Sequence, residues 1–183
     1  MLNKISTLDA VFIALMAACG LALKPIIGPL FKLIGSAFLI PSGSLAGAVY
    51  MIWPSLAILI VRHIGAATLV GIIQGIIVLV TGIYGSHGIL SLLTYTVPGI
   101  VIDLVYWLIR GFRYRWLMFL PAAFGNAAGS AIVGIILMHI PLLPLILGLI
   151  PAFIFGGIGG LLSLLLYSAL IEVFPIFDKS KLL

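Results

Sequence analysis

Charge is the scarcest property of this chain. Only 7% of its 183 residues are Asp, Glu, Lys or Arg, and just four of those are acidic, where a soluble domain carries about a quarter charged residues. A soluble enzyme is excluded on that ground. Cysteine is nearly absent too: Cys19 is the single one, so no internal disulfide forms, and no Cys/His cluster has metal-ligand spacing. There is no Ser with His and Asp in a usable arrangement, no pair of intramembrane aspartates and no Gly-rich phosphate loop followed by Lys. The sequence therefore carries no catalytic constellation, and neither a cofactor nor a resident metal is expected.

What the chain has instead is apolar bulk, 64% of its residues. At about 20 residues per membrane crossing and about 10 per connection, it holds roughly six crossings and no soluble domain, so residues 1–183 read as a single integral membrane domain. A transporter built on this chain draws on a gradient or borrows an ATPase. The net charge of +5 matches the excess of Lys and Arg that cytoplasmic membrane loops carry, and nucleic acid is not an expected partner.

The charges mark the spans. No charged residue lies between Lys32 and Arg62, between Arg62 and Asp103, or from Trp116 to Ile171. The polar turn Tyr84-Gly85-Ser86-His87-Gly88 divides the second interval, and His139 through Pro144 divides the third. The fold class expected is all-α, with six transmembrane helices at about 9–24, 43–61, 65–83, 88–109, 116–138 and 145–172. One side then collects Lys4, Arg62, Arg110, Arg113, Arg115, Lys179 and Lys181, and the other only Lys24 and Lys32. That asymmetry puts both termini in the cytoplasm. Residues 24–41, with Pro25, Gly28, Pro29, Gly35 and Pro41, read as a long irregular loop between helices 1 and 2, either a lid over an outward cavity or a re-entrant interfacial segment.

Helix 1 repeats Ala10, Ala14, Ala18 and Ala22 every four residues. These form a smooth stripe that suits close approach of another helix, inside the bundle or from a partner. Gly43 with Gly47, and Gly156-Gly157 with Gly159-Gly160, suit close packing within the bundle.

Polar side chains inside spans need a partner or a wet cavity. Tyr50, Trp53, Gln74, Tyr84, His87, Ser91, Tyr95 and Asn126 can line one outward-opening pocket, whose aromatic walls and hydrogen-bonding groups suit a small, flat, polar heterocycle. Competing readings are a belt role for Tyr84 and His87, packing of Trp53 at the Pro54 kink, and a mutual hydrogen bond between Gln74 and Asn126. Asp103, the one carboxylate well within a span, reads as the partner of Arg62 or Arg110 before it reads as a proton relay. Glu172 reads as an interfacial anchor.

Three segments carry a family resemblance: Tyr50-Met51-Ile52-Trp53, then Arg62-His63-Ile64-Gly65-Ala66-Ala67-Thr68-Leu69-Val70, then Gly82 and Gly85 ahead of Gly99 and Asp103. With six spans and the alanine stripe, the chain resembles the substrate-binding S component of an energy-coupling factor (ECF) transporter, most closely the YkoE-type family associated with thiamin and its hydroxymethylpyrimidine precursor. The resemblance implies a vitamin-importing subunit in a prokaryotic cytoplasmic membrane, with a transmembrane coupling protein and two ATPase subunits as partners. It also implies a docking role for the alanine stripe. Relatives that take cationic thiamin are expected to offer a pocket carboxylate; this chain has Gln74 and no outer-half acid, which favours a neutral pyrimidine or another vitamin-like heterocycle. A gradient-driven carrier and a non-transporting scaffold protein are the alternatives.

Overall fold

The computed structural model describes residues 5–36, 42–82, 88–110 and 117–174. Regular structure there is entirely helical. Helix α1 (Thr7–Ala22) starts on a capping box, in which Ser6 Oγ accepts from the Asp9 N–H at 3.2 Å and Asp9 Oδ2 accepts from the Ser6 N–H at 3.0 Å. The acid that interrupts the first apolar run thus satisfies two of the donors a helix start leaves open.

Residues 24–36 correct the expectation of an irregular loop, because they form helix α2 (Lys24–Ser36), set at 47° to α1 across Leu23. Pro25 lies in the first turn, where its missing N–H is no loss, and Pro29 forfeits one hydrogen bond. In an apolar medium an unpaired backbone costs more than these defects, so a run of Ile26, Ile27, Leu30, Phe31, Leu33 and Ile34 folds as helix despite its breakers.

Helices α3 (Ser42–Tyr50) and α4 (Ile52–Val61) run on as one span, Gly43–Val61, interrupted at Met51. Pro54 supplies the reason, since it has no N–H to give to the carbonyl four residues back. The span stops at Arg62 in the left-handed region (φ 54), and Gly65 (φ 103) turns the chain into α5 (Ala66–Thr81). Helix α6 (Leu90–Ile109) follows, then α7 (Phe119–Ile132), whose last turn widens into a π segment, Val133–Leu137, and finally α8 (Leu142–Val173).

Among the described residues four helices are long and apolar enough to cross a membrane: Gly43–Val61, Leu90–Ile109, Phe119–Leu137 and Leu142–Val173. The bent pair of α1 and α2 makes a fifth candidate, and α5, at 16 residues, is apolar but shorter. At 1.5 Å per residue α8 is about 48 Å long, well beyond a hydrocarbon core of about 30 Å.

Close helix contacts rest on small residues. A Cβ on Gly71 or Gly99 would strike backbone of the facing helix across the α5–α6 seam. Gly156 and Gly160 do the same for α8 against α7, and Gly159 for α8 against α3. Gly47 packs against Asn126, whereas Gly43 faces open space, contrary to the pairing expected of it. The bundle has a solid end and a hollow end. Ile13, Ala57, Ile58, Val61, Ile102 and Met118 belong to the buried cluster. Polarity is inverted relative to a soluble protein: Val80, Leu104 and Leu165 are exposed, while Ser44, Asn126 and Ser163 are buried, as expected where the surrounding solvent is lipid.

Candidate functional site

The hollow end holds a cavity of about 980 Å³ walled by α1, α2, α3, α5, α6 and α7. Four of the residues expected at a pocket line it: Tyr50 at the end of α3, Gln74 in α5, Tyr95 in α6 and Asn126 in α7. They meet there because α3, α5, α6 and α7 each bring one polar side chain to the same level of the bundle.

Gln74 and Asn126 do not bond each other. Gln74 Nε2 donates to the Ala17 carbonyl at 3.2 Å. Asn126 Nδ2 donates to the carbonyls of Ser44 at 3.0 Å and Ala152 at 2.7 Å. Both amides are thereby oriented, since a carbonyl accepts only from the NH2 end. The nitrogens tie α5 to α1 and α7 to α3 and α8; the oxygens, Oε1 and Oδ1, remain as acceptors. A hydrogen bond of 2.9 Å from Ser44 Oγ to Ser130 Oγ adds a second link between α3 and α7 beside Asn126.

Two of the other expected site residues, Trp53 and Ser91, fall elsewhere. Trp53 packs against the Cα position of Gly20, behind the cavity wall, with its Nε1 buried and, among the described residues, without a hydrogen-bond partner. Ser91 is fully buried and does not line the cavity. Tyr84 and His87 lie outside the described residues.

One residue that sequence reasoning assigned to the sparse positive charge of the outer side belongs to the site. Lys24, at the start of α2, lines the cavity with its Nζ 3.5 Å from the centroid of the Tyr95 ring and 5.1 Å from that of Tyr50. The ammonium sits over one π face and near a second, a cation–π arrangement. Lys32 lines the same cavity. The signal was available: Lys24 and Lys32 are the two cations that the charge count assigns to the side where topogenic charge is not needed.

Asp103 also departs from expectation. No salt bridge joins it to Arg62 or Arg110 among the described residues. Its Oδ2 instead accepts from the Thr68 N–H at 2.8 Å and the Thr68 hydroxyl at 2.6 Å, at the first turn of α5. Arg62 donates to the Tyr167 hydroxyl at 3.2 Å. The alanine stripe is settled geometrically as well. Helix α1 turns Ile13, Ala17, Gly20 and Leu21 into the bundle, while Ala10, Ala14, Ala18 and Ala22 are all exposed. The stripe does not serve internal packing.

Residues 8–129, more than half of the chain, match the family model described as the permease component of an ABC-type cobalt transport system. The chain belongs to this permease family. It is thus a multi-pass membrane component of an ABC-type transport system of the ECF kind, and ATP hydrolysis resides in other subunits of that system. The match runs from α1 into α7 and includes every polar cavity residue named above except Ser130. No curated protein and no solved structure matches the chain.

The cavity of this permease component offers poor coordination for a bare transition-metal ion. Among the described residues no Asp, Glu, His or Cys lines it, and no group of three such side chains is placed to hold a metal. Amide oxygens and ammonium groups are not the donors that select cobalt from other cations.

Proposed function

We propose that this permease component is the substrate-binding S component of an ECF importer, and that its substrate is a vitamin-like heterocycle of the thiamin-related pyrimidine type. The single observation that carries the reading is the cavity lined by two tyrosines, Tyr50 and Tyr95, and by two amides, Gln74 and Asn126, whose nitrogens are tied to backbone carbonyls. Aromatic walls stack a flat ring, and Gln74 and Asn126 accept from its N–H groups. A site of roughly this size is ample for a single heterocycle.

The ATPase subunits supply the energy, and a transmembrane coupling protein transmits it to this chain through the exposed alanine face of α1. In this reading all six apolar segments cross the membrane with both termini in the cytoplasm, so that the cavity opens outward. The family description favours a cobalt ion as the alternative cargo, but the donor set of the cavity argues against it. A gradient-driven carrier would rely on Asp103, which is committed to the start of α5.

The deciding experiment is mass spectrometry of small molecules that co-purify with the detergent-solubilised protein, followed by thermal-shift titration of the hits. A pyrimidine or related heterocycle that raises the melting temperature supports the proposal. A protein that retains only cobalt, or that no heterocycle stabilises, sinks it.

A further inference from the structure

Lys24 creates an electrostatic condition that the heterocycle alone does not meet. Its ammonium faces the Tyr95 and Tyr50 rings, and among the described residues it has no carboxylate partner. Asp9 is engaged by Ser6 and Asp103 by Thr68, and neither lines the cavity. Lys32 adds a second positive charge to the same wall. A cation withdrawn from bulk water into a partly apolar cavity recovers only part of its lost hydration from π faces, and is fully compensated by an anion. The wall also carries the amides of Gln74 and Asn126, where both Asn126 N–H donors and one of those of Gln74 go to backbone carbonyls and the amide oxygens remain as acceptors. The cavity lining thus combines two cations from α2 with one amide each from α5 and α7.

We propose that the substrate is an acid: a small heterocycle that presents N–H donors to Gln74 and Asn126 and a carboxylate or phosphate to Lys24. This rests on the heterocycle reading above and adds the charge of the ligand and the residue that selects it. Lys24 stands immediately after the bend between α1 and α2, so the ion pair is made at the point where α2 joins the wall of the cavity. A cationic ligand meets two like charges and, among the described residues, no acid in the same space.

The test uses the purified full chain in detergent and matched probes that differ only in charge. These are hydroxymethylpyrimidine with its phosphate monoester, and a pyrimidine carboxylate with the corresponding carboxamide. The acid of each pair is expected to bind at least about tenfold more tightly than its neutral partner. Lys24→Met should bring the members of each pair within about threefold of each other, and Lys24→Arg should keep the preference. If Lys24→Met fails to fold, Lys24→Gln and the salt dependence of acid binding to the unaltered chain give the same readout, since competing salt weakens an ion pair and spares a neutral ligand. Neutral probes that bind as tightly as the acids, or acids that bind Lys24→Met undiminished, overturn the proposal and leave the heterocycle reading standing. Failure of every probe, acid and neutral, with a folded protein overturns both.

Discussion

The carboxylate of Asp103 in α6 caps α5 through Thr68, taking both its backbone N–H and its hydroxyl on one oxygen. Gly65, the residue at the N-cap of α5, has no side chain to do this, and the glycine is required there by its φ of 103°. A carboxylate from a neighbouring helix thus substitutes for a local cap, and its negative charge lies at the positive end of the helix dipole. The same contact fixes α5 against α6, the seam at which Gly71 and Gly99 bring the backbones together. Asp103 acts on stability, and through it on the placement of Gln74 two turns further along α5.

From this follows the first expectation. Asp103→Asn keeps an acceptor but loses the charge, and should destabilise the chain by about 1 kcal/mol; Asp103→Ala should cost about 2 kcal/mol. A double-mutant cycle with Thr68→Ala, read by thermal unfolding in detergent, should show coupling, because both changes delete the same contact. Ligand affinity should move less than threefold. Loss of binding by Asp103→Asn in a fully stable protein would place Asp103 in the site and revive the gradient-driven carrier.

The apolar runs between charges predict six helices, and three of those expected, at Gly43–Val61, Leu90–Ile109 and Phe119–Leu137, are found within a few residues of the expected bounds. Such runs are legible because lipid demands continuous apolar length. Helix α2 was not legible, because Pro25, Gly28 and Pro29 carry the local signal of a loop and only the apolar environment overrides it. The site was half legible. Intramembrane polarity singles out Gln74 and Asn126, but not what their nitrogens bond, since Ala17, Ser44 and Ala152 contribute backbone carbonyls that any residue would supply. Lys24 was hidden by its own charge, which counts as topology until the bend at Leu23 turns it toward Tyr95.

Orientation provides the second expectation. Reporters fused after Lys4, Arg113 and Lys179 should read cytoplasmic, and those near Gly85 and Pro141 external, as the bias of seven Lys and Arg against two requires. Helix α5 is the sensitive element, being only 16 residues long. An external reading at Arg113 would mean that α5 does not cross.

The third expectation concerns the exterior of α1. Ala14 and Ala18 are exposed beside the buried Ile13 and Ala17, so a large side chain at either position has room in the isolated chain and none against a closely docked helix. Ala14→Trp or Ala18→Leu should leave the melting temperature and ligand affinity of the purified protein nearly unchanged, yet abolish co-purification with the coupling protein and uptake in cells. Intact assembly by both variants would remove the stripe from the docking surface.

The fourth expectation separates support from contact in the cavity. Asn126 donates to two buried carbonyls on two different helices and Gln74 to one. Removing a donor deletes these side-chain hydrogen bonds, at about 1 kcal/mol each, although each helical carbonyl keeps its backbone partner. Asn126→Ala should therefore lower stability more than Gln74→Ala, and Asn126→Leu more still, because Gly47 and Gly156 press on that side chain and leave no room for branching. For affinity the order should differ. Tyr95 faces the cavity, whereas Trp53 lies behind Gly20, so Tyr95→Ala should cost the stacking of a bound ring, roughly 1 kcal/mol beyond its packing, and Trp53→Phe should cost little. Trp53→Phe has a further consequence for stability. Among the described residues the buried indole Nε1 has no partner, so replacing it with a carbon should be neutral or stabilising, the reverse of what a ligand-bonding tryptophan would show. Isothermal titration with the ligand found by mass spectrometry, run beside thermal unfolding of each variant, gives both orders. A Trp53→Phe protein of unchanged stability but lost affinity would place the indole at the ligand.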